Sequence, residues 1–202
     1  AGRVQAWIVG PGAGTGAWTH ARVAEALASD VPVLVDADAI TLVAGDTALR
    51  AAAVARLAPT IFTPHAGEFA RLGGDLAAPG GRLAAVRRLA ADLHSVVLLK
   101  GAATVIAGAT GTAAVSASGP PDLATAGSGD VLSGLVGSMI AAQAVGAQTA
   151  AGFGDEDLVI TAAAGAYLHG LAARLAMADG RPIVSEDVLA QVPAAIAAAR
   201  GA

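Results

Sequence analysis

The sequence predicts an α/β layered fold with a largely parallel central sheet. Two observations carry this. Short apolar segments alternate with segments whose apolar residues recur at helical spacing, the order expected of strands linked by crossover helices. One segment, "SVVLLKG" at 95–101, is almost continuously apolar, as in a parallel strand covered on both faces. A third observation bears on function: a glycine loop at 10–16, Asp36 and Asp38, His65, and Lys100 each fall just after a predicted strand. In open α/β sheets that end of the strands is where ligands bind.

The elements follow in order. "VQAWIV" (4–9) reads as a buried strand stopped by "GPGAGTG", and "HARVAEALA" (20–28) as a helix. "VPVLVDAD" is a strand ending in acids, and "DTALRAAAVARLA" (46–58) a helix stopped by Pro59. "TIFTPH" is a short strand broken by proline, and "GEFARLGG" a short helix with a glycine stop. "GGRLAAVRRLAADLH" (80–94) is amphipathic, with its arginines expected on the outer face. After the apolar strand, "ATVIAG" and "GTAAVSA" form a hairpin around a glycine-containing turn. Helices are predicted over 129–147, 156–178 and 186–199.

The 202 residues suit one domain. Apolar residues make up 55% of the chain and aromatics only 3%, so the core must be built from small residues packed closely. A net charge of −4 without a basic patch argues against nucleic acid as a partner. Cysteine is absent, which excludes a disulfide framework and thiolate zinc sites and fits a reducing cytoplasm. No leader pattern is visible in "AGRVQAWIVG". The uncharged run from Val131 to Gly154 is long enough to span a bilayer. It carries Ser133, Ser138, Gln143, Gln148 and Thr149, has acids at both ends and lacks Lys or Arg flanks, so it reads as a buried helix rather than a membrane span. The expectation is a chain without a membrane partner, and its apolar, Ala-rich helices suggest a homo-oligomer.

Five motifs carry chemistry. In "GPGAGTGA", Gly12, Gly14 and Ala17 satisfy G-x-G-x-x-A, with Asp36 ending the next strand where a dinucleotide fold places its ribose acid. Pro11 and Trp18 disfavour the tight pyrophosphate turn, so contact with some other ligand is the preferred reading. In "VDADAI", Asp36 and Asp38 either bind Mg²⁺ or cap a following helix. In "TPHAGEFARL", His65 and Glu68 stand three apart at a strand end and together read as functional; the plain alternatives are a surface or packed histidine and a first-turn acid made favourable by the helix dipole. Lys100 follows four apolar residues and needs an anionic partner, with Gly101 allowing close approach to the backbone, unless it simply extends into water. Finally, "LATAGSGDVLSGLVG" places Gly127, Ser128 and Gly129 before Asp130 and a long uncharged helix. Loop amides and the helix dipole there form an anion site. A carboxylate at that point would repel a resting phosphate. It makes sense as a base that takes the proton from a hydroxyl attacking a phosphoryl group. The plain alternative is an acid made favourable by the helix dipole.

"LVDADAITL", "TPHAGEFARL", "VVLLKGAATVIAG" and "LATAGSGDVLSGLVGSMIAAQ", in that order, resemble the ADP/ATP-dependent NAD(P)HX dehydratases, which have a ribokinase-like three-layer fold. The resemblance runs from about Val4 to Pro193. It implies ADP or ATP as phosphoryl donor with Mg²⁺, and NAD(P)HX as the small-molecule substrate. It places the nucleotide against Lys100, Gly101, Ala102, Ala103, Thr104 and Gly129, alongside Gly127 and Ser128 of the same loop. It places the hydrated dinucleotide near Gly12, Gly14, Asp36, His65 and Asp130, with Asp130 catalytic and Glu68 near the metal, directly or through water. The implied reaction phosphorylates the ring hydroxyl and then eliminates phosphate. Relatives carry Gly-Asn-Pro-Gly where "GPPD" stands at 119–122, and commonly Asn where Thr41 stands. The resemblance makes 1–202 a single ribokinase-like dehydratase domain without the epimerase domain often fused to it, and without the family's first strand and helix. The other readings are a kinase for a small vitamin precursor, a catalytically silent nucleotide-binding module, and a Rossmann oxidoreductase.

Overall fold

A computed structural model describes residues 4–146, 154–178 and 180–201. The strands are β1 (Trp7–Val9), β2 (Val33–Val35), β3 (Thr60–Phe62), β4 (Val96–Leu99), β5 (Thr104–Ala107) and β6 (Ala113–Ser116). The helices are α1 (Ala17–Ala28), α2 (Ala37–Gly45), α3 (Thr47–Val54), α4 (Ala66–Arg71), α5 (Gly81–Leu93), α6 (Ser128–Gly146), α7 (Asp155–Ala176) and α8 (Ser185–Ala199). The sheet order is β1-β2-β3-β4-β5-β6, with the first four strands parallel and β5 and β6 antiparallel to their neighbours.

The strand order places the layers. Parallel neighbours joined by right-handed crossovers put every connecting helix on the same face. Alternate strand residues, Val33, Val35, Phe62, Val97 and Leu99, point to that face and form one core with α1 to α5. Leu34, Ile61, Val96, Leu98 and Ile106 point to the other face and pack on α6 and α7. Small residues make the helix contacts close: a side-chain carbon at Gly165 would stand 2.5 Å from Val136, and one at Gly137 2.4 Å from Ile8. A third apolar cluster joins α7 to α8.

Three expectations are corrected. The first strand is an edge strand, with Trp7 and Ile8 each 40% exposed, because nothing pairs with its outer side among the described residues. The sequential strand order lacks the reversal at which a Rossmann fold seats its dinucleotide. The acids of "VDADAI" open α2 immediately after β2, with Ala37 taking a positive φ of 47° at the junction, so residues 37–45 are a helix that the sequence reading left unassigned. The uncharged run 131–154 includes α6, whose Leu132, Val136 and Ile140 lie in the core, as expected of a buried helix. Residues 147–153 of that run lie outside the described residues. Among the described helices, α7 is long and apolar enough to cross a membrane, yet it packs against the sheet and against α6 and α8.

Candidate active site

The register Val35↔Phe62 and Phe62↔Val97 brings the ends of β2, β3 and β4 level. Asp36, Thr63 to His65, and Lys100 therefore emerge side by side, laced by Thr63 N–H to the Val35 carbonyl (3.1 Å) and Lys100 N–H to the Pro64 carbonyl (2.8 Å).

Asp36 and Lys100 form the floor. Asp36 is 1% exposed, and Lys100 Nζ donates to its Oδ1 at 2.8 Å. Oδ1 also accepts from Ala37 N–H (2.9 Å), while Oδ2 accepts from Ser133 Oγ (2.6 Å). The anion that Lys100 requires is thus supplied from within the chain. Asp36 caps α2 and fastens α6 to the sheet, and its side chain is not open to a ribose. Lys100 retains a 21% exposed side chain. A side-chain carbon at Gly129 would stand 3.4 Å from Lys100 Nζ, so the ammonium lies against the start of α6.

The loop before α6 is held from below. Gly127 takes a φ of +81°, which only glycine adopts readily. Ser128 is buried, and its Oγ donates to the Leu123 carbonyl at 2.6 Å. Ser128 N–H reaches the Thr125 carbonyl, and Asp130 N–H the Gly127 carbonyl. The expectation that Ser128 and its neighbouring amides fan around a phosphate is corrected to this extent: the hydroxyl and two amides secure the turn itself. Asp130 follows in the first turn of α6, exposed, on the helix face of Ser133 one turn away.

The other motifs have structural duties. His65 caps α4: its Nδ1 accepts from Gly67 N–H (3.0 Å) and Glu68 N–H (3.2 Å), while Glu68 Oε2 accepts from His65 N–H (2.8 Å). Glu68 Oε1 lies 3.4 Å from His65 Nε2. Both carboxylate oxygens of buried Glu68 therefore face His65, and among the described residues no three His, Asp or Glu side chains gather to hold a metal. This donor set does not fit a Mg²⁺ held by the protein alone. In the first loop Gly12 and Gly14 are exposed with positive φ, and Gly14 N–H donates to Asp38 Oδ2 at 2.8 Å, tying the loop to α2.

Gly101, Ala102 and Thr104 line a cavity of about 50 Å³ together with Ser118, Leu132 and His169. Two of the residues around this region escaped the sequence reading. Arg82, expected on the outer face of α5, turns inward and donates to the Lys100 carbonyl at 3.0 Å, against Gly101, where any side-chain carbon would meet its guanidinium. His169 lies buried on α7, and its only sequence signal is a lone imidazole within the apolar, Ala-rich run between Asp157 and Arg174.

A family model for NAD(P)H-hydrate dehydratase matches residues 1–193. The chain belongs to this dehydratase family. Within it, the chain is 54% identical over 142 residues to the bifunctional NAD(P)H-hydrate repair enzyme Nnr of Mycobacterium tuberculosis, covering 70% of this chain and 29% of that protein. It is 41% identical over 174 residues to the ADP-dependent (S)-NAD(P)H-hydrate dehydratase of Neisseria meningitidis, covering 84% and 54%. The chain therefore spans about a third to a half of the length of these dehydratase relatives. The fold is similar to that of the Bacillus subtilis ADP/ATP-dependent NAD(P)H-hydrate dehydratase co-crystallized with ATP/Mg²⁺ (TM-score 0.72, 28% identity, 95% of this chain and 64% of that one). It is also similar to a ribokinase-like superfamily protein of Enterococcus faecalis (TM-score 0.72, 26% identity, 96% and 63%). The ribokinase-like three-layer fold implied by the sequence motifs is the fold observed.

Proposed function

We propose that this chain restores NAD(P)H from NAD(P)HX by a nucleotide-dependent dehydration, with ADP or ATP as phosphoryl donor and Mg²⁺ travelling with its phosphates. The observation that carries this reading is the exposed Asp130 on the first turn of α6, one residue from Gly129, which lies against the Lys100 ammonium. Asp130 accepts the proton of the substrate ring hydroxyl. The freed oxygen attacks the terminal phosphorus, and the nucleotide leaves one phosphate shorter. Phosphate then departs with the C–O bond pair, a proton is lost from the adjacent ring carbon, and the double bond returns. Hydroxide is a poor leaving group and phosphate a good one, which is why the nucleotide is needed. The Lys100 charge and the positive end of α6 offset the charge developing on the transferred group.

The family match and the named relatives support the substrate. Lys100, Gly101 to Thr104 and Gly129 serve the nucleotide, and Gly12, Gly14 and His65 the dinucleotide. Its place of work is the cytoplasm, in keeping with a chain lacking cysteine. The exposed Trp7, Ile8 and Trp18 beside the β1 edge favour a homo-oligomer, which light scattering checks.

The test is NADHX incubated with ATP or ADP while NADH absorbance is followed. Recovery of absorbance is expected, and Asp130→Asn should lower kcat by about 10²–10⁴-fold, the usual range for a positioned base. A stable phosphorylated product instead of NADH would make the chain a small-molecule kinase. Nucleotide binding without any turnover would make it a silent nucleotide-binding module.

A further inference from the structure

His169 is 6% exposed, and its Nε2 is inaccessible to solvent with no hydrogen-bond partner. The Ser128 main chain acts on the ring in the sense that favours the protonated form, as a carbonyl facing a ring N–H does; with Nε2 unpartnered, that N–H is assigned to Nδ1. In the neutral imidazole the lone pair is then on Nε2. Burial, opposed by that bond and reinforced by the Lys100 charge, pushes the pKa down to about 4, so the ring is neutral near pH 7. His169 is among the residues lining the cavity, with Gly101, Ala102, Thr104 and Ser118. Gly170 permits this placement: a side-chain carbon there would stand 2.2 Å from Ser118 Oγ and 2.6 Å from Gly119 N, so α7 comes right up to the segment after β6. A buried acceptor left unmet is a cost that native structures rarely carry without a purpose.

We propose that His169 Nε2 accepts a hydrogen bond from an N–H or O–H donor on the nucleoside part of the adenine nucleotide. This rests on the nucleotide-dependent reading above. The cavity admits a small donor group rather than a whole base. The two sources of such a donor are a ribose hydroxyl and the exocyclic amine, and analogues separate them.

The experiment measures binding of ADP, 2′-deoxyADP, 3′-deoxyADP and inosine diphosphate to the wild-type chain, H169N and H169Q. Asn places its amide nitrogen where Nδ1 stands and keeps the Ser128 bond while deleting the acceptor. Gln carries an oxygen out to the Nε2 position. The wild type should bind one analogue about 10-fold more weakly than ADP, as for one lost hydrogen bond to a buried group. H169N should bind ADP and that analogue alike, and H169Q should recover part of the preference. The identity of the disfavoured analogue names the donor. Equal binding of all four nucleotides by the wild type, or an undiminished preference in H169N, overturns the inference while leaving the dehydratase reading in place. A wild type that binds no adenine nucleotide overturns both.

Discussion

Lys100 and Asp36 stand 64 positions apart in sequence and meet at 2.8 Å beyond the strand ends. Removing one member strands the other: Lys100→Met leaves a carboxylate that is 1% exposed without its cation and should lower unfolding free energy by about 3 kcal/mol or more. Adding Asp36→Asn to that variant should restore part of the loss, and denaturant unfolding of the four-member cycle measures it. A second prediction concerns His169. Its folded pKa of about 4 lies below the unfolded value of 6.5, so the folded state holds fewer protons between them. Stability should therefore be unaffected by this group above pH 6.5, fall as pH drops towards 4 and level off below, with a total loss of about 3 kcal/mol. The stability profiles of the wild type and H169N should differ in slope across that range, whereas parallel profiles would show that another group dominates. The sequence made clear that Lys100 needs an anion, because an apolar run before a lysine is legible. It did not identify Asp36 as that anion, because strand register is a property of the assembled sheet.

The loop after β1 and the helix after it show what glycine spacing conceals. The sequence draws the eye to Gly12 and Gly14, yet a side-chain carbon at either meets nothing within 4 Å. At Gly10 the same carbon would lie 1.8 Å from the Asp36 carbonyl, with φ at +117°. Gly12→Ala should accordingly cost about 1–2 kcal/mol, and Gly10→Ala more than about 4 kcal/mol, both readable as shifts in thermal midpoint. The end of α1 is held by Arg56, whose guanidinium donates to the carbonyls of Ala26, Leu27, Ser29 and Val31 and to Thr60 Oγ1. Arg56→Ala leaves several carbonyls at the helix end and the entry to β2 unmet, and should destabilise the chain by about 3 kcal/mol or more in denaturant titration. Most elements were legible because apolar spacing distinguishes strands from helices. The helix at 37–45 was not, because only Asp36 separates it from the strand, with no loop to announce it. The duty of His65 and Glu68 was half legible: S/T/D/N-type caps are familiar, whereas here an imidazole nitrogen is the capping acceptor.

At the scale of the molecule, the core on the sheet and the cluster joining the last two helices differ in build. The face under α1 to α5 holds large side chains such as Phe62, Phe69 and Leu93, whereas α8 rests on α7 through Ala172, Ala173, Ala176, Val188 and Ala195. Amide hydrogen exchange should show β3 and β4 as the slowest segments and α8 as one that opens well before global unfolding, since small side chains bury little area per contact. Protection of α8 equal to that of β4 would refute this ordering. The layered class and the hairpin at the far edge were legible from alternation alone, while the grouping of α1 to α5 on one side required the strand order. That far edge also has a consequence for access. Because β5 runs back against β4, and β6 turns again, the end of β4, the beginning of β5 and the end of β6 all finish at the same rim, where Thr104 faces Ser116. A guest entering there touches three stretches of backbone belonging to one continuous ribbon. Lys100 sits within that ribbon, so a substitution along it would be felt at the start of α6 as well.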